Sequence, residues 1–119
     1  MTAPARPSTF HFELIPERDR VRVAPAGELD AATAPRLEQA VRDLLESGFE
    51  YVILDLTDLE FLDSGGLRMI LRLQAASAEG SFRLELKPGP PAVQRIFELS
   101  GMVDALTFIR PLGRPRGTR

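Results

Sequence analysis

The sequence predicts an α/β fold: a single domain built on a small mixed β-sheet with helices mainly on one face. Segments that alternate apolar and polar residues, as strands do, are interspersed with segments of helical spacing. Residues 52–56 are almost entirely apolar, which is typical of a strand buried on both faces of a sheet. The length of 119 residues suits one domain and is short for two.

The first predicted element is a β-hairpin. Its two strands show the two-residue alternation at Phe10, Phe12 and Leu14 and again at Val21 and Val23, on either side of a polar turn. We therefore expect these strands to pair and to open the domain.

The first helix is expected to begin after Thr33, whose hydroxyl suits a helix cap, and to end at Gly48. Pro35 is tolerated because amides in the first turn of a helix have no intrahelical partner. Apolar residues fall at helical spacing at Leu37, Ala40, Val41, Leu44 and Leu45. This helix is predicted to cover the sheet, in which residues 52–56 form a central strand.

A second helix is predicted after a loop over residues 57–63. The predicted core face consists of Leu67, Ile70, Leu71, Ala75 and Ala78. A second apolar side is formed by Met69, Leu73 and Ala76, beyond a stripe with Arg68 and Arg72. We expect this second side to pack on a neighbouring helix, and a docking patch for a partner is the alternative.

The remaining elements are short. A strand with one solvent-facing side is predicted from Phe82, Leu84 and Leu86, followed by a helix from Pro91 to a stop at Gly101 and a last strand around 106–109. The domain is thus expected to span residues 10–109. Residues 1–9 and the basic segment 110–119 are expected to be flexible termini.

The composition narrows the classes of function. No cysteine is present, so thiol chemistry and disulfides are excluded, and the compartment is consistent with a reducing cytoplasm. A net charge of −2 predicts no general attraction to nucleic acid or anionic lipid. The short apolar runs predict no membrane insertion, and the N-terminus does not resemble a signal peptide. We expect a cytoplasmic protein that recognises its partners locally.

The segment that carries functional information leads from the central strand into the second helix. Asp63 and Ser64 occupy positions where side-chain oxygens commonly cap a helix, so a plain cap is one interpretation of the serine. Gly65 and Gly66 weaken this interpretation, because a glycine in a helical turn costs up to ~1 kcal/mol relative to alanine. Two residues without side chains are expected to leave the Ser64 hydroxyl accessible to the active site of a kinase.

Three segments in the same order carry a resemblance to a known family. The stretch from Phe61 to Leu67 (Phe-Leu-Asp-Ser-Gly-Gly-Leu) resembles the Asp-Ser-(Ser/Thr)-Gly-Leu signature of anti-sigma factor antagonists in the STAS family. The stretch from Gly27 to Asp30 (Gly-Glu-Leu-Asp) is similar to the family's turn before its first helix, and residues 91–102 are similar to its third helix. The resemblance covers residues 10–109 and implies a STAS-like fold.

The resemblance also implies a function. Ser64 takes the place of the phosphorylated serine, Asp63 is the carboxylate beside it, and Asp30 is the acidic residue of the neighbouring loop. The implied partners are a serine-kinase anti-sigma factor, which the unphosphorylated protein would bind, and a phosphatase for reactivation. The implied partner-binding residues are Asp30, Asp63, Ser64, Gly65, Gly66 and Arg68.

The chain departs from the family pattern at two of these positions. Gly65 stands where a second hydroxyl residue is usual, and Arg68 stands where a small residue is common. Three interpretations of Arg68 are open: it pairs with an acidic partner, it pairs with a phosphate one turn back, or it is a solvated surface residue. Asp55 is expected to have a structural role at the end of its strand.

Two other classes of function are alternatives to a switch that phosphorylation of Ser64 controls. An enzyme with Ser64 as nucleophile is disfavoured, because the only histidine, His11, lies in the opening strand and no Gly-x-Ser-x-Gly elbow is present. Neither a metal site nor a nucleotide-binding loop is indicated, so no cofactor is expected. The main alternative is a non-switching STAS module, either a scaffold or an accessory subunit of a signalling or transport assembly.

Overall fold

The computed structural model describes residues 10–109, and the two predicted flexible termini, 1–9 and 110–119, lie outside the described residues. The elements in chain order are β1 (His11–Glu17), β2 (Arg20–Leu29), α1 (Ala34–Glu46), β3 (Tyr51–Asp55), β4 (Leu59–Leu62), α2 (Ser64–Ala78), β5 (Arg83–Lys87), α3 (Pro91–Ser100) and a 3₁₀ turn (Val103–Ala105). They form a mixed α/β domain with a five-stranded sheet, which confirms the predicted fold class.

The sheet has the strand order β1-β2-β3-β5, with β4 also paired to β2. The predicted hairpin is confirmed: β1 and β2 are antiparallel and close at the Glu17 and Arg20 pair. β3 runs parallel to both β2 and β5, so the predicted central strand has a neighbour on each side. The three middle residues of this strand, Val52, Ile53 and Leu54, are buried on whichever face they lie.

The two faces of the sheet differ in chemistry. The face that the helices cover carries fully or nearly fully buried aliphatic side chains: Val21, Val23, Val52, Leu54, Leu84 and Leu86. The opposite face carries paired charges, with Arg22 bound to Glu17 and to Asp55. Here the ring of Tyr51 lies between the guanidinium groups of Arg20 and Arg83, at 4.8 and 4.3 Å from the ring centroid. The apolar face is therefore shielded from water by the helices, and the paired charges suit the opposite face to contact with solvent.

The predicted loop over 57–63 is wrong in part, because it contains the short strand β4. β2 has ten residues and β3 only five, so the distal half of β2 has an open edge, which β4 fills in parallel. Gly27 pairs with Leu59, and the next residue, Glu28, pairs with Phe61. Glu60 is therefore an extra residue at a β-bulge. The bulge leaves Glu60 and Phe61 both exposed, which breaks the alternation by which a strand is recognised.

The predicted core face of α2 is confirmed at Leu67 and Ile70 and wrong at its other positions. The side chains that face the core are those of Leu67, Met69, Ile70 and Leu73, whereas Ala75 and Ala78 are exposed. Met69 and Leu73, assigned to a second apolar side, are therefore central core residues, and Leu71 is only partly buried. Packing was the expected role of that side, and the buried Met69 and Leu73 exclude it as a docking patch.

The C-terminal part of the domain follows the prediction with one difference. α3 begins at Pro91 and ends at Gly101, whose φ of 75° is the left-handed conformation that glycine adopts easily. The predicted last strand is reduced to one parallel bridge between Leu86 and Phe108. The ring of Phe108 packs edge-on against Phe97 of α3 at a centroid distance of 5.3 Å, so this segment closes the core without forming a ladder.

Candidate functional site

The first turns of α1 and α2 lie side by side because the strands that lead into them are paired. Leu29 of β2 and Leu62 of β4 are the last residues in register, and Asp30 and Asp63 follow them directly. The Asp63 amide donates a hydrogen bond to the Leu29 carbonyl at 3.2 Å. Two aspartates that are far apart in the chain therefore stand at neighbouring helix starts.

Asp63 is the cap of α2. Its Oδ1 accepts hydrogen bonds from the Gly65 amide at 2.9 Å and from the Gly66 amide at 3.0 Å. Its own backbone is extended, with φ −114° and ψ −173°, as is usual for a residue at this position. The sequence placed either Asp63 or Ser64 in this role, and the structure assigns it to Asp63.

Ser64 is the first residue of α2 and is exposed. Its hydroxyl makes no hydrogen bond with any residue in the 10–109 segment. The interpretation of Ser64 as a plain cap is therefore wrong, because Asp63 already holds the amides that a cap would bind. The serine contributes an accessible hydroxyl at the surface rather than a structural contact.

Asp30 makes a similar pair of hydrogen bonds in the turn before α1, where Thr33 holds the N-cap position but its side chain caps no amide of the helix. Oδ1 of Asp30 accepts hydrogen bonds from the Ala32 and Thr33 amides, both at 3.0 Å. The hydroxyl of Thr33, which the sequence suggested as the cap, instead accepts a bond from the Asp30 amide at 2.9 Å. Asp30 and Thr33 thus brace each other, and this rigid turn holds Ala31 in place next to α2.

The two glycines after Ser64 are required by the chain's own packing. A Cβ atom at Gly65 would lie 2.8 Å from the N, Cα and Cβ atoms of Ala31. A Cβ atom at Gly66 would lie 2.6 Å from the carbonyl oxygen of Leu29 and 2.8 Å from Cδ1 of Leu62. The backbone that approaches these glycines belongs to Leu29, at the end of β2, and to Ala31 in the loop that follows, so internal packing accounts for both glycines. Gly66 is buried, whereas Gly65 is partly exposed. The approach of a kinase to these two residues stays a prediction.

We call the surface formed by Asp30, Ala31, Asp63, Ser64 and Gly65 the serine edge. Phe61, two residues before Asp63, is 48% exposed. Its exposure could not be predicted from the sequence, because a bulge in β4, which no local pattern indicates, turns it outward. Arg68, one turn into α2, is exposed as well.

Asp55 is separate from the serine edge and has a structural role, as expected. Burial alone would raise its pKa, but hydrogen bonds from the hydroxyl and amide of Thr57, together with Lys87 and Arg22, lower the pKa below its ordinary value. Arg22 donates to Asp55 Oδ2 at 3.1 Å. These contacts fix the turn between β3 and β4 and hence the start of the strand that leads to Ser64.

Residues 10–109 contain neither a candidate metal site nor a candidate membrane-spanning helix. No group of three or more histidine, cysteine, aspartate or glutamate side chains in this segment is arranged to hold a metal ion. None of its helices is both long and apolar enough to cross a membrane.

The fold and the paired helix starts are those of a small single-domain α/β protein. A family model described as "Mlab, STAS domain" matches residues 13–110, and the chain belongs to the STAS domain family. An anti-sigma-B factor antagonist from Staphylococcus epidermidis is 26% identical over 97 residues, which cover 82% of this chain and 90% of that protein.

Solved structures agree with this assignment. The crystal structure of an anti-sigma factor antagonist from Mycobacterium paratuberculosis has a TM-score of 0.74 and 26% identity, and the match covers 92% of each chain. The Bacillus cell fate determinant SpoIIAA in its phosphorylated form shares the fold, with a TM-score of 0.62, 21% identity and coverage of 86% of this chain and 92% of that one.

Proposed function

We propose that this chain is a cytoplasmic anti-sigma factor antagonist that Ser64 switches. The unphosphorylated form binds a serine-kinase anti-sigma factor at the serine edge and so frees the sigma factor, and phosphorylation of Ser64 turns binding off. The observation that carries the proposal is the exposed Ser64 hydroxyl, which no residue in the described part of the chain engages. Relatives named anti-sigma factor antagonists support the binding role.

The position of Ser64 suits modification without unfolding. A phosphate at the start of a helix lies near the positive end of the helix dipole, where an anion is tolerated. The first-turn amides remain bound to Asp63, so the cap does not depend on the serine oxygen. A phosphorylated form of a protein with the same fold, SpoIIAA, is consistent with this expectation.

The same position makes the phosphate a strong change of surface. A group with close to two negative charges would replace a small hydroxyl next to the Asp63 carboxylate and the loop that carries Asp30. An interface shaped for a hydroxyl must then desolvate this anion without a prepared cation. A loss of about 3 kcal/mol in binding free energy corresponds to more than a hundredfold in affinity. Removal of the phosphate by a phosphatase would restore binding.

Phe61 is the apolar part of this proposed interface. Aromatic side chains are enriched among the residues that dominate binding energy, because they bury a large area with little loss of conformational freedom. Phe61 precedes Asp63 by two residues and is half exposed. Its burial under the anti-sigma factor would bring the partner's backbone over Ser64.

The experiment is a set of binding titrations with serine-kinase anti-sigma factors from the same cells. Wild type and Ser64→Ala are expected to bind with similar affinity, whereas the phosphorylated protein and Ser64→Asp are expected to bind more than a hundredfold more weakly. Ser81→Asp is the matched control, because Ser81 is exposed in the turn before β5 and adds the same charge away from the serine edge. Circular dichroism verifies that each variant is folded.

Equal affinity of wild type and Ser64→Asp for the anti-sigma factor would contradict the switch. The alternative, a STAS module that acts as a scaffold or an accessory subunit, would then account for the data. One observation is equally compatible with this alternative. Gly65 and Gly66 are explained by internal packing, so they do not distinguish a switch from a scaffold. Intact-mass measurement of the protein from its native cells tests for a single phosphate on Ser64.

A further inference from the structure

We propose that Arg68 is the intramolecular partner of the phosphate on Ser64, so that the phosphorylated first turn of α2 is closed by a Ser64 phosphate–Arg68 ion pair. This inference rests on the proposed phosphorylation of Ser64 and specifies how the chain accommodates the charge. It concerns a position at which this sequence departs from the small residue of the family pattern.

The helix geometry brings the two side chains together. Ser64 and Arg68 are separated by four residues in α2, and such residues are neighbours on one face with Cβ atoms about 5–6 Å apart. Side chains in a helix tilt toward its N-terminus, so a long side chain at position 68 lies over the turn that contains Ser64. Both residues are exposed, and no rearrangement of the core is needed for their contact.

Arg68 has no other partner among the described residues. Its side chain makes no salt bridge or hydrogen bond with residues 10–109. The helix positions three and four residues away hold no acid: they are Ser64, Gly65, Leu71 and Arg72. On α1, the Glu38 carboxylate is bound by Arg72 at 2.8 Å and by Arg42 at 3.0 Å, so it is already paired.

The phosphate finds no free amide at Gly65 or Gly66 to bind its oxygens. The Gly65 and Gly66 amides, which would otherwise bind an anion, are held by Asp63. The chain from residue 43 to residue 67 contains seven acidic residues and no lysine or arginine. Arg68 is the first cation after this acidic stretch, and its guanidinium can bind phosphate oxygens with two parallel hydrogen bonds.

The contact has a consequence for the switch. In the unphosphorylated protein the Arg68 guanidinium is available to an acidic group of the anti-sigma factor. In the phosphorylated protein it is drawn to the Ser64 phosphate. One modification thereby changes two features of the surface, since it adds an anion and withdraws a cation.

The test uses the full chain with phosphoserine incorporated at position 64 during translation, so no kinase is needed. The second pKa of the phosphate, ordinarily about 6, is followed by ³¹P NMR at low salt. An ion pair with Arg68 favours the dianion, so Arg68→Gln is expected to raise this pKa by about 0.3 unit, a shift of the size that surface pairs four residues apart produce. Arg68→Lys is expected to retain most of the effect.

Arg72→Gln is the matched control. Arg72 lies one turn further along α2 and is bound to Glu38, so its removal is expected to leave the phosphate pKa unchanged. An equal phosphate pKa in wild type and Arg68→Gln would overturn the proposal, and so would an equal shift in Arg72→Gln. Because the phosphate is installed directly, the titration stands apart from the proposed function. A phosphoprotein that shows the pair and still binds its anti-sigma factor would refute the switch alone.

Discussion

The substitution Gly65→Ala tests the contact between the two helix starts. In an exposed helix this exchange stabilises, because alanine is favoured over glycine by up to ~1 kcal/mol. In this protein the added Cβ would lie 2.8 Å from three atoms of Ala31, two of them backbone. We therefore expect Gly65→Ala to lower the free energy of unfolding, which is the opposite sign from helix propensity.

The magnitude follows from how far the loop must move. Ordinary van der Waals contact begins at 3.4 Å, so Ala31 must retreat by about 0.6 Å from its position at 2.8 Å. The loop is held by hydrogen bonds of Asp30 with Ala32 and Thr33 and cannot shift freely. Overpacking of this kind costs about 1–3 kcal/mol, and the propensity gain offsets part of it. The expected net loss is about 1–2 kcal/mol.

The assay is equilibrium unfolding in urea, with NMR chemical shifts of the Ala31–Thr33 amides as a measure of loop displacement. Ala75→Gly is the matched control, since Ala75 is exposed in the last turn of α2 and the exchange runs in the reverse direction. It is expected to cost up to about 1 kcal/mol through propensity alone. A Gly65→Ala protein that is as stable as wild type, or more stable, would refute the close contact described above.

Two further outcomes are expected from the aspartates that follow the strands. Asp63→Ala should lower the free energy of unfolding by about 1 kcal/mol, because two first-turn amides lose their acceptor, whereas exposed Asp58→Ala should change it by less than about 0.5 kcal/mol. Equal effects in urea unfolding would contradict the cap. Asp55 has a lowered pKa, so its contribution is present above the pKa of the unfolded chain and is lost as the pH falls through the folded value. Asp55→Asn should therefore destabilise at pH 7 and match wild type in strong acid, and a difference that persists there would contradict this account.

Local patterns were sufficient to predict most of the fold. The hairpin, α1, β3 and α3 each carry a period or an end signal within a few residues, and these signals agree with the observed elements. The face of α2 was not predictable in this way, because apolar residues surround much of the helix. Which of these residues face the core depends on the close contact between Gly66 and Leu29, and these two residues are far apart in the sequence.

The candidate site shows the same division. Asp63 and Ser64 were located correctly, because the end of a buried strand followed by a helix start is visible in the sequence. The sequence did not show which of the two residues caps the helix, because the side-chain oxygen of either one is able to do so. The reason for Gly65 lies in Ala31, more than thirty residues away, and only the pairing of β2 with β4 brings the two together.

The bulge in β4 also constrains the length of the chain. Glu60 is the one residue of that strand without a counterpart on β2, and Leu62 regains alignment with Leu29 just after it. Deleting Glu60 would remove the bulge and leave Leu59, Phe61 and Leu62 opposite Gly27, Glu28 and Leu29 in an unbroken ladder, with Phe61 still exposed and Leu62 still buried. The serine would then still follow the residue that faces Leu29 by two positions. Deleting Phe61 as well would instead place Asp63 opposite Leu29 and turn Leu62 away from the core, so the site tolerates the loss of one residue in β4 but not of two. An insertion is far better tolerated in the exposed turn at 79–81.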